Sequence, residues 1–326
     1  MKRKSLIHLM HLPVMAAALT TVNVFAGTEA TAAASYEDWL KVSGYAVGSY
    51  TVTDAGDTKD TFLDSGSSNL DSVKVGFETS QGALGSYVSL FYIPNNDAGI
   101  LDAYLNYKAG SFTFTGGKYL SYLGYEAFDP INMYQLTYAN GLGAIPAYHT
   151  GVKMDYATDT FGAGANVSDS IRGGNGFFVG DEDYSNGLGY EAYVTYKGID
   201  KLTIWAGAGY DDTEGLTDWL TYNIWASYDL SDKLTLAGEI AYHEDGVSEG
   251  TQGLALAKYA FTDKFSTAFR YGIDSYSTGQ PDTHKFTVAP TYAFCKSLSV
   301  RGELSTTQVT SGEDSVFTGA QVVVKF

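Results

Sequence analysis

Two carboxylates, Glu126 and Asp129, stand close together in the segment 122–146, which is otherwise rich in aromatic and aliphatic side chains. Elsewhere Lys74, Lys118, Lys153, Arg270 and Arg301 occupy the polar side of segments in which apolar and polar residues alternate. Acids set against bases across a narrow, wet passage create a transverse field that orders water and sorts solutes by charge and dipole. For any one of these charges the simpler role is solvation of a wet surface, or a salt bridge that braces the segment. Glu78, Asp102, Asp155, Glu191, Glu239 and Glu303 share the same polar sides, and His149 and His243 lie nearby in the chain. Such a passage would carry both signs. Acidic connecting segments would gather cations at its mouth, which predicts a weak cation preference.

A second set is aromatic. Tyr104, Tyr119, Tyr193, Trp205 and Trp225 share the polar side of their segments, and ring faces lining a passage can stack on sugar rings. Their competing role is to fill space or hold a connecting segment, and a one-residue slip in parity would turn each to the opposite face. Nucleophilic catalysis has less support, because His149, His243 and His284 have no neighbouring serine pattern suited to a Ser/His/acid relay. The acid runs Asp181-Glu182-Asp183 and Asp211-Asp212-Thr213-Glu214 offer hard oxygen ligands. Without calcium-loop spacing they read as solvated acids. There is no phosphate-cradling motif and no zinc spacing. The expectation is no enzyme, no metal and no cofactor.

These residues are spread over most of the chain, so a short repeated unit must position them. Val73, Val75 and Phe77 alternate with Ser72, Lys74, Gly76 and Glu78; Leu188, Tyr190, Ala192, Val194 and Tyr196 alternate with Gly189, Glu191, Tyr193, Thr195 and Lys197. Period two marks strands with two unlike faces. A soluble sandwich would alternate too. Aromatics near both ends of the apolar faces, and charges and glycines on the polar ones, suit strands around a wet interior. Segments about ten residues long suit tilted crossing of a bilayer; soluble strands average about half that. The repeats Tyr196–Leu202, Tyr228–Leu234, Tyr259–Phe265 and Tyr292–Leu298 align without gaps and mark short turns. The longer segments between them are external loops.

Counting on this rule gives sixteen strands: 40–52, 70–80, 86–93, 99–108, 112–121, 147–157, 160–168, 187–197, 201–211, 218–229, 233–243, 252–261, 264–274, 284–294, 297–307 and 316–326. The segments 86–93 and 252–261 leave their parity open. The fold expected is all-β: a closed antiparallel transmembrane barrel, with no free edge to meet lipid. No window outside the first residues approaches 18 apolar residues, so a helical membrane protein is excluded.

Both ends agree with export. Lys2, Arg3 and Lys4 precede an apolar stretch from Leu6 to Leu19, and Val24-Phe25-Ala26 suits a cleavage site, with Ala34 as an alternative. Residues 1–26 therefore read as a signal peptide, 27–38 as a lead-in, and 39–326 as one barrel domain. Removing residues 1–26 takes away three positive charges and moves the net charge from −17 to −20. So acidic a chain is a poor partner for nucleic acid. A lone Cys295 excludes an internal disulfide framework. The last strand, Val316 to Phe326, ends on an aromatic. It resembles the terminal strand of bacterial outer-membrane barrels, where that residue is part of the signal read by the barrel assembly machinery.

The segment 122–146 falls third among the external loops. An apolar loop of that length packs against something, and the expectation is that it folds into the lumen, with a short helix near Asn132–Tyr138. The alternatives are packing outside or a subunit contact. Gly116-Gly117-Lys118, Leu123-Gly124-Tyr125-Glu126, Asp129-Pro130, Asn132, Ile145-Pro146 and His149-Thr150-Gly151 resemble the signature of an outer-membrane β-barrel porin family. The likeness is dense over 116–151 and architectural elsewhere. It implies a bacterial outer-membrane location, a passive or weakly selective pore for small hydrophilic solutes, and a wall surrounded by lipid and lipopolysaccharide. In general porins of sixteen strands the third loop carries acids facing a basic wall, and three barrels associate, so a homotrimer is expected by analogy.

Overall fold

When each face of a segment meets a different medium, alternation gives extended strands whose side chains point to the two sides of one sheet. The computed structural model of the protein describes residues 39–55, 58–59, 71–94, 98–141, 144–171, 178–179, 187–213, 217–246, 248–277 and 279–326. The expected signal peptide 1–26, the lead-in 27–38, the acid run 181–183 and Glu214 lie outside the described residues.

The strands are β1 Leu40–Ala55, β2 Thr58–Lys59, β3 Ser72–Gln81, β4 Leu84–Tyr92, β5 Ala98–Ala109 and β6 Phe112–Leu120. They continue with β7 Tyr148–Ala157, β8 Phe161–Ser168, β9 Gly187–Ile199, β10 Leu202–Thr213, β11 Trp219–Ser231 and β12 Leu234–Glu244. The last are β13 Glu249–Ala260, β14 Phe265–Tyr276, β15 Thr283–Cys295, β16 Leu298–Val309 and β17 Ser315–Lys325. The two-residue β2 only extends the tip of β1. The other sixteen form a closed antiparallel ring, with β17 returning to β1 from Tyr45↔Lys325 to Asp54↔Val316. All sixteen expected strands are present, with ends moved by at most three residues.

The seam is completed by the final residue. Gly44 and Phe326 exchange backbone hydrogen bonds at 3.0 Å in both directions. A Cβ on Gly44 would meet Phe326 Cζ at 2.7 Å, so the aromatic ring lies over a position that only glycine leaves clear.

The distribution of side chains is inside-out relative to a soluble protein. Leu84, Leu105, Val152 and Ile240 are more than half exposed on the outer face, while Lys74, Asp102, Glu191, Arg270, Arg301 and Glu303 are buried within the ring. Contiguous apolar exterior of this extent requires a lipid neighbour. The interior is polar, and the third loop lies in it.

The two strands of open parity are explained by their surroundings. In β13 Leu254 and Leu256 point inward, where Ala139 of the loop packs on them with Tyr125 and Tyr134 beside it. In β4 the ladder to β5 shifts register between Val88 and Leu90. The helix expected near 132–138 is not formed; a single 3₁₀ turn at Pro130–Asn132 stands earlier instead. Proline fixes the backbone angle at that turn, and wall side chains compete for the amides beyond it.

Candidate functional site

A loop without regular structure leaves its amides and carbonyls without partners, and inside a barrel each must find one. Residues 121–147 find them on the wall. Tyr122 N–H donates to Glu191 Oε2 at 3.3 Å, Gly124 N–H to Asn223 Oδ1 at 3.1 Å, and Tyr125 N–H to Glu239 Oε1 at 2.8 Å. Leu136 and Thr137 N–H both donate to Glu303 Oε2, at 2.6 and 2.9 Å, and Gly141 N–H donates to Asp274 Oδ2 at 2.9 Å. The carbonyls turn to donors. Arg301 donates to the carbonyls of Pro130 and Gln135 at 3.2 and 3.0 Å, Arg270 to that of Thr137 at 2.5 Å, and Lys285 to that of Tyr138 at 2.8 Å. Thr221 Oγ1 donates to the carbonyl of Ala144 at 2.9 Å. Wall acids and Asn223 take the loop amides, and wall bases and Thr221 take its carbonyls.

The loop acids are held by the same wall. Arg270 Nη1 donates to Glu126 Oε1 at 2.5 Å. The same carboxylate accepts Gln135 Nε2 and, at 2.6 Å, Ala139 N–H. Asp129 accepts Tyr45 O–H at 2.9 Å and faces Lys74 Nζ at 3.3 Å. Lys74 is shared, since Asp102 lies 3.0 Å from it. This cluster of two acids and one base keeps one surplus negative charge. A cavity of about 410 Å³ opens beside it, lined by Tyr45, Lys74, Gly76, Tyr87, Asp129 and Ile131 among others.

The loop thus reaches β1 and β3 on one side, β9, β11 and β12 on another, and β14 to β16 on a third, so it crosses the lumen rather than lying along one strand. Its apolar residues fill two patches. Phe128 and Ile131 pack on Tyr45, Phe91, Tyr148 and Val323, and Ala139 packs on Leu254 and Leu256.

The aromatics are contiguous. Tyr193, Trp205 and Trp225 lie side by side on β9, β10 and β11, with ring centroids 5.9 and 6.0 Å apart and planes within 11° and 7°. Tyr122 of the loop closes one end at 4.5 Å and Tyr125 the other at 5.5 Å. Both faces of Trp205 are therefore turned to other rings. Tyr119 meets His149 edge-on, and Tyr104 packs on Tyr87.

Two of the expected bases have partners other than the loop acids Glu126 and Asp129. Lys153 Nζ lies 4.7 Å over the Tyr119 ring and 4.8 Å over Tyr122, and makes no ion pair among the described residues. Lys118 donates to the Phe178 carbonyl of the fourth loop at 3.5 Å. It stands where the β5–β6 ladder stops, at Ala103↔Lys118. Gly117 next to it has φ of 132°, and a Cβ there would run into the Ala103 carbonyl, so only glycine allows the strands to part here. Val179 N–H then pairs with the Ile100 carbonyl at 2.8 Å beside the gap.

Sequence reasoning placed Glu191, Glu239 and Glu303 inward but missed Asn223, Asp274, Lys285 and Thr221 as loop holders. Inward parity was the available signal; which wall residue meets which loop residue depends on the loop's path. The acid run 211–212 serves structure in part, because Asp211 accepts Ser170 Oγ and Ile171 N–H, both at 2.6 Å.

A family model described as beta-barrel porin-2, OmpL-like, matches residues 59–325. No curated protein matches the chain in sequence. Among solved structures the fold is similar to OprB of Pseudomonas putida, with TM-score 0.73 and 9% identity over 88% of this chain and 94% of that one. It is also similar to an anion-selective porin from Comamonas acidovorans, with TM-score 0.65 and 14% identity over 88% and 99%. The trimer form of OmpT from Vibrio cholerae gives TM-score 0.61 and 16% identity over 89% and 100%. At these identities the likeness concerns the fold.

Proposed function

The chain belongs to the beta-barrel porin-2, OmpL-like family, and from that premise we propose that this outer-membrane porin is a passive diffusion channel for small hydrophilic solutes and ions with a weak cation preference. The observation that carries the reading is the third loop crossing the lumen within a belt of charge. Around it Glu126, Asp129, Asp102, Asp155, Glu191, Glu239, Asp274 and Glu303 slightly outnumber Lys74, Lys118, Lys153, Lys258, Arg270, Arg301 and Lys285, all inside the ring or on the loop. The preference is weak because the two signs are nearly balanced and most of the bases contact acids or loop carbonyls directly, which leaves a small residual field. Purified protein in a planar bilayer should give stepwise conductance, with a reversal potential of cationic sign in a salt gradient. An anionic sign would overturn the preference, and a barrel that never conducts would overturn the channel.

The second reading is a saccharide-selective channel. Contiguity of Tyr193, Trp205 and Trp225 favours it, because stacking along a sugar needs neighbouring rings. Against it stands the use of those ring faces on one another and on Tyr122 and Tyr125. Liposome swelling with sugars of equal mass separates the two: equal rates support the general pore, and discrimination supports the selective one. A non-channel barrel, adhesin or enzyme, would conduct in neither assay.

Assembly is read as a homotrimer, from similarity to the trimer form of OmpT. Lipid and lipopolysaccharide would surround the apolar band, the assembly machinery would read Phe326, and residues 39–326 would form the mature barrel after loss of the leader.

A further inference from the structure

Lys153 and Lys258, inward lysines of the wall, make no ion pair among the described residues. Each lies instead over a tyrosine of the third loop. Lys153 Nζ is 4.8 Å from the Tyr122 ring centroid, and Lys258 Nζ is 5.3 Å from that of Tyr134. An ammonium over a ring keeps its full charge, because the ring offers only a quadrupole. By contrast, Arg270 faces Glu126, and Lys74 lies between Asp102 and Asp129.

Position along the axis matters as much as pairing. Lys258 stands near the short-turn end of β13, which stops at Ala260, and Lys153 stands in the half of β7 that leads to the short turn before β8. The short turns mark the periplasmic end of an outer-membrane barrel. On the inner face at that end stand also Lys41, Lys108, Lys197 and Lys325, against Glu78, Asp155 and Asp229. Glu78 is already paired, with Lys41 at 3.7 Å. At the long-loop end the inward charges are mainly acids: Asp71, Asp169, Asp245 and Asp274. Lys118 and Lys285 sit among them, Lys118 on the Phe178 carbonyl and Lys285 with its ammonium on the Tyr138 carbonyl and Thr137 Oγ1.

We propose that Lys153 and Lys258 set an axial polarity in this pore, positive below the loop and negative above it, so that the channel rectifies. The inference rests on the porin reading and deepens it. The acid-lined end admits cations from outside, and the lysine-lined end admits anions from the periplasm. A potential that drives both inward fills the pore with carriers; the reverse potential empties it. Current is therefore larger with the external side positive. Screening limits the effect, since the Debye length is about 10 Å at 0.1 M salt and about 3 Å at 1 M.

The test is a current–voltage curve on single insertions at both salt concentrations. Cys295, exposed at the short-turn end of β15, orients each insertion, because an impermeant thiol reagent reaches it from one chamber only. The expected result is unequal current at opposite polarities in 0.1 M salt, equal current in 1 M, and loss of the inequality in Lys153→Gln/Lys258→Gln. The pair Lys153→Arg/Lys258→Arg should keep it. A linear curve for the unaltered protein at 0.1 M, the opposite direction, or an asymmetry that survives the double Gln variant would overturn the proposal. Absence of any conductance steps would instead remove the porin reading beneath it.

Discussion

At the scale of the residue, the loop acids do two jobs that the sequence could not separate. Glu126 is spent on Arg270, Gln135 and the Ala139 amide, so its charge is locally matched. Replacing Arg270 with Met would leave that carboxylate inside the ring without its cation. Removing one partner of a buried pair costs about 3–5 kcal/mol. Urea unfolding in lipid vesicles should show a loss of that order, partly recovered in Arg270→Met/Glu126→Gln; an unchanged midpoint would mean the pair is wetter than its burial indicates. Asp129 is different, because it carries the surplus charge of the Lys74–Asp102–Asp129 cluster. Asp129→Asn should move the reversal potential in a salt gradient toward the anionic side while the barrel stays assembled. An unmoved reversal potential would place the cation preference elsewhere.

At the scale of the element, the informative features are those that interrupt regularity. Gly117 allows β5 and β6 to part where the fourth loop reaches Ile100. Alanine there meets both a positive φ and the Ala103 carbonyl, so Gly117→Ala should destabilise by more than about 1 kcal/mol and lower the yield of folded barrel. Normal folding and stability of that variant would show that the strands can part in another way. The ladder of Tyr193, Trp205 and Trp225 braces three strands against the loop. Trp205→Leu and Trp225→Leu should couple by about 0.5–1.5 kcal/mol in a double-mutant cycle, and strict additivity would argue that the stacking is incidental. Parity in the chain revealed the inward side of these rings. It could not reveal that their faces are used by each other, because that depends on strand stagger.

At the scale of the whole molecule, a ring of sixteen strands and one internal loop divide the labour. The ring supplies closure and the apolar band, and Phe326 meeting Gly44 completes its seam. The proposed task of the loop is to narrow the path. Excising residues 123–145 should raise single-channel conductance several-fold while strand content by circular dichroism is retained; equal conductance would mean that the loop does not narrow the path. Loop removal leaves the wall acids without amides to accept, and like charges facing one another across water should then increase cation preference at low salt.

The chain alone determined the strands, the inward and outward faces of all but two of them, the position of the long loop and the closing role of the last strand. Each follows from local alternation and turn chemistry, which need only a few neighbouring residues to be written. Tertiary structure alone decided that Arg270 takes Glu126, that Lys74 takes Asp129 and Asp102, that Lys118 serves the fourth loop, and that leucines of β13 face inward. Those outcomes depend on which residues the irregular loop brings across the lumen, and no period in a sequence records the path of a segment that has none.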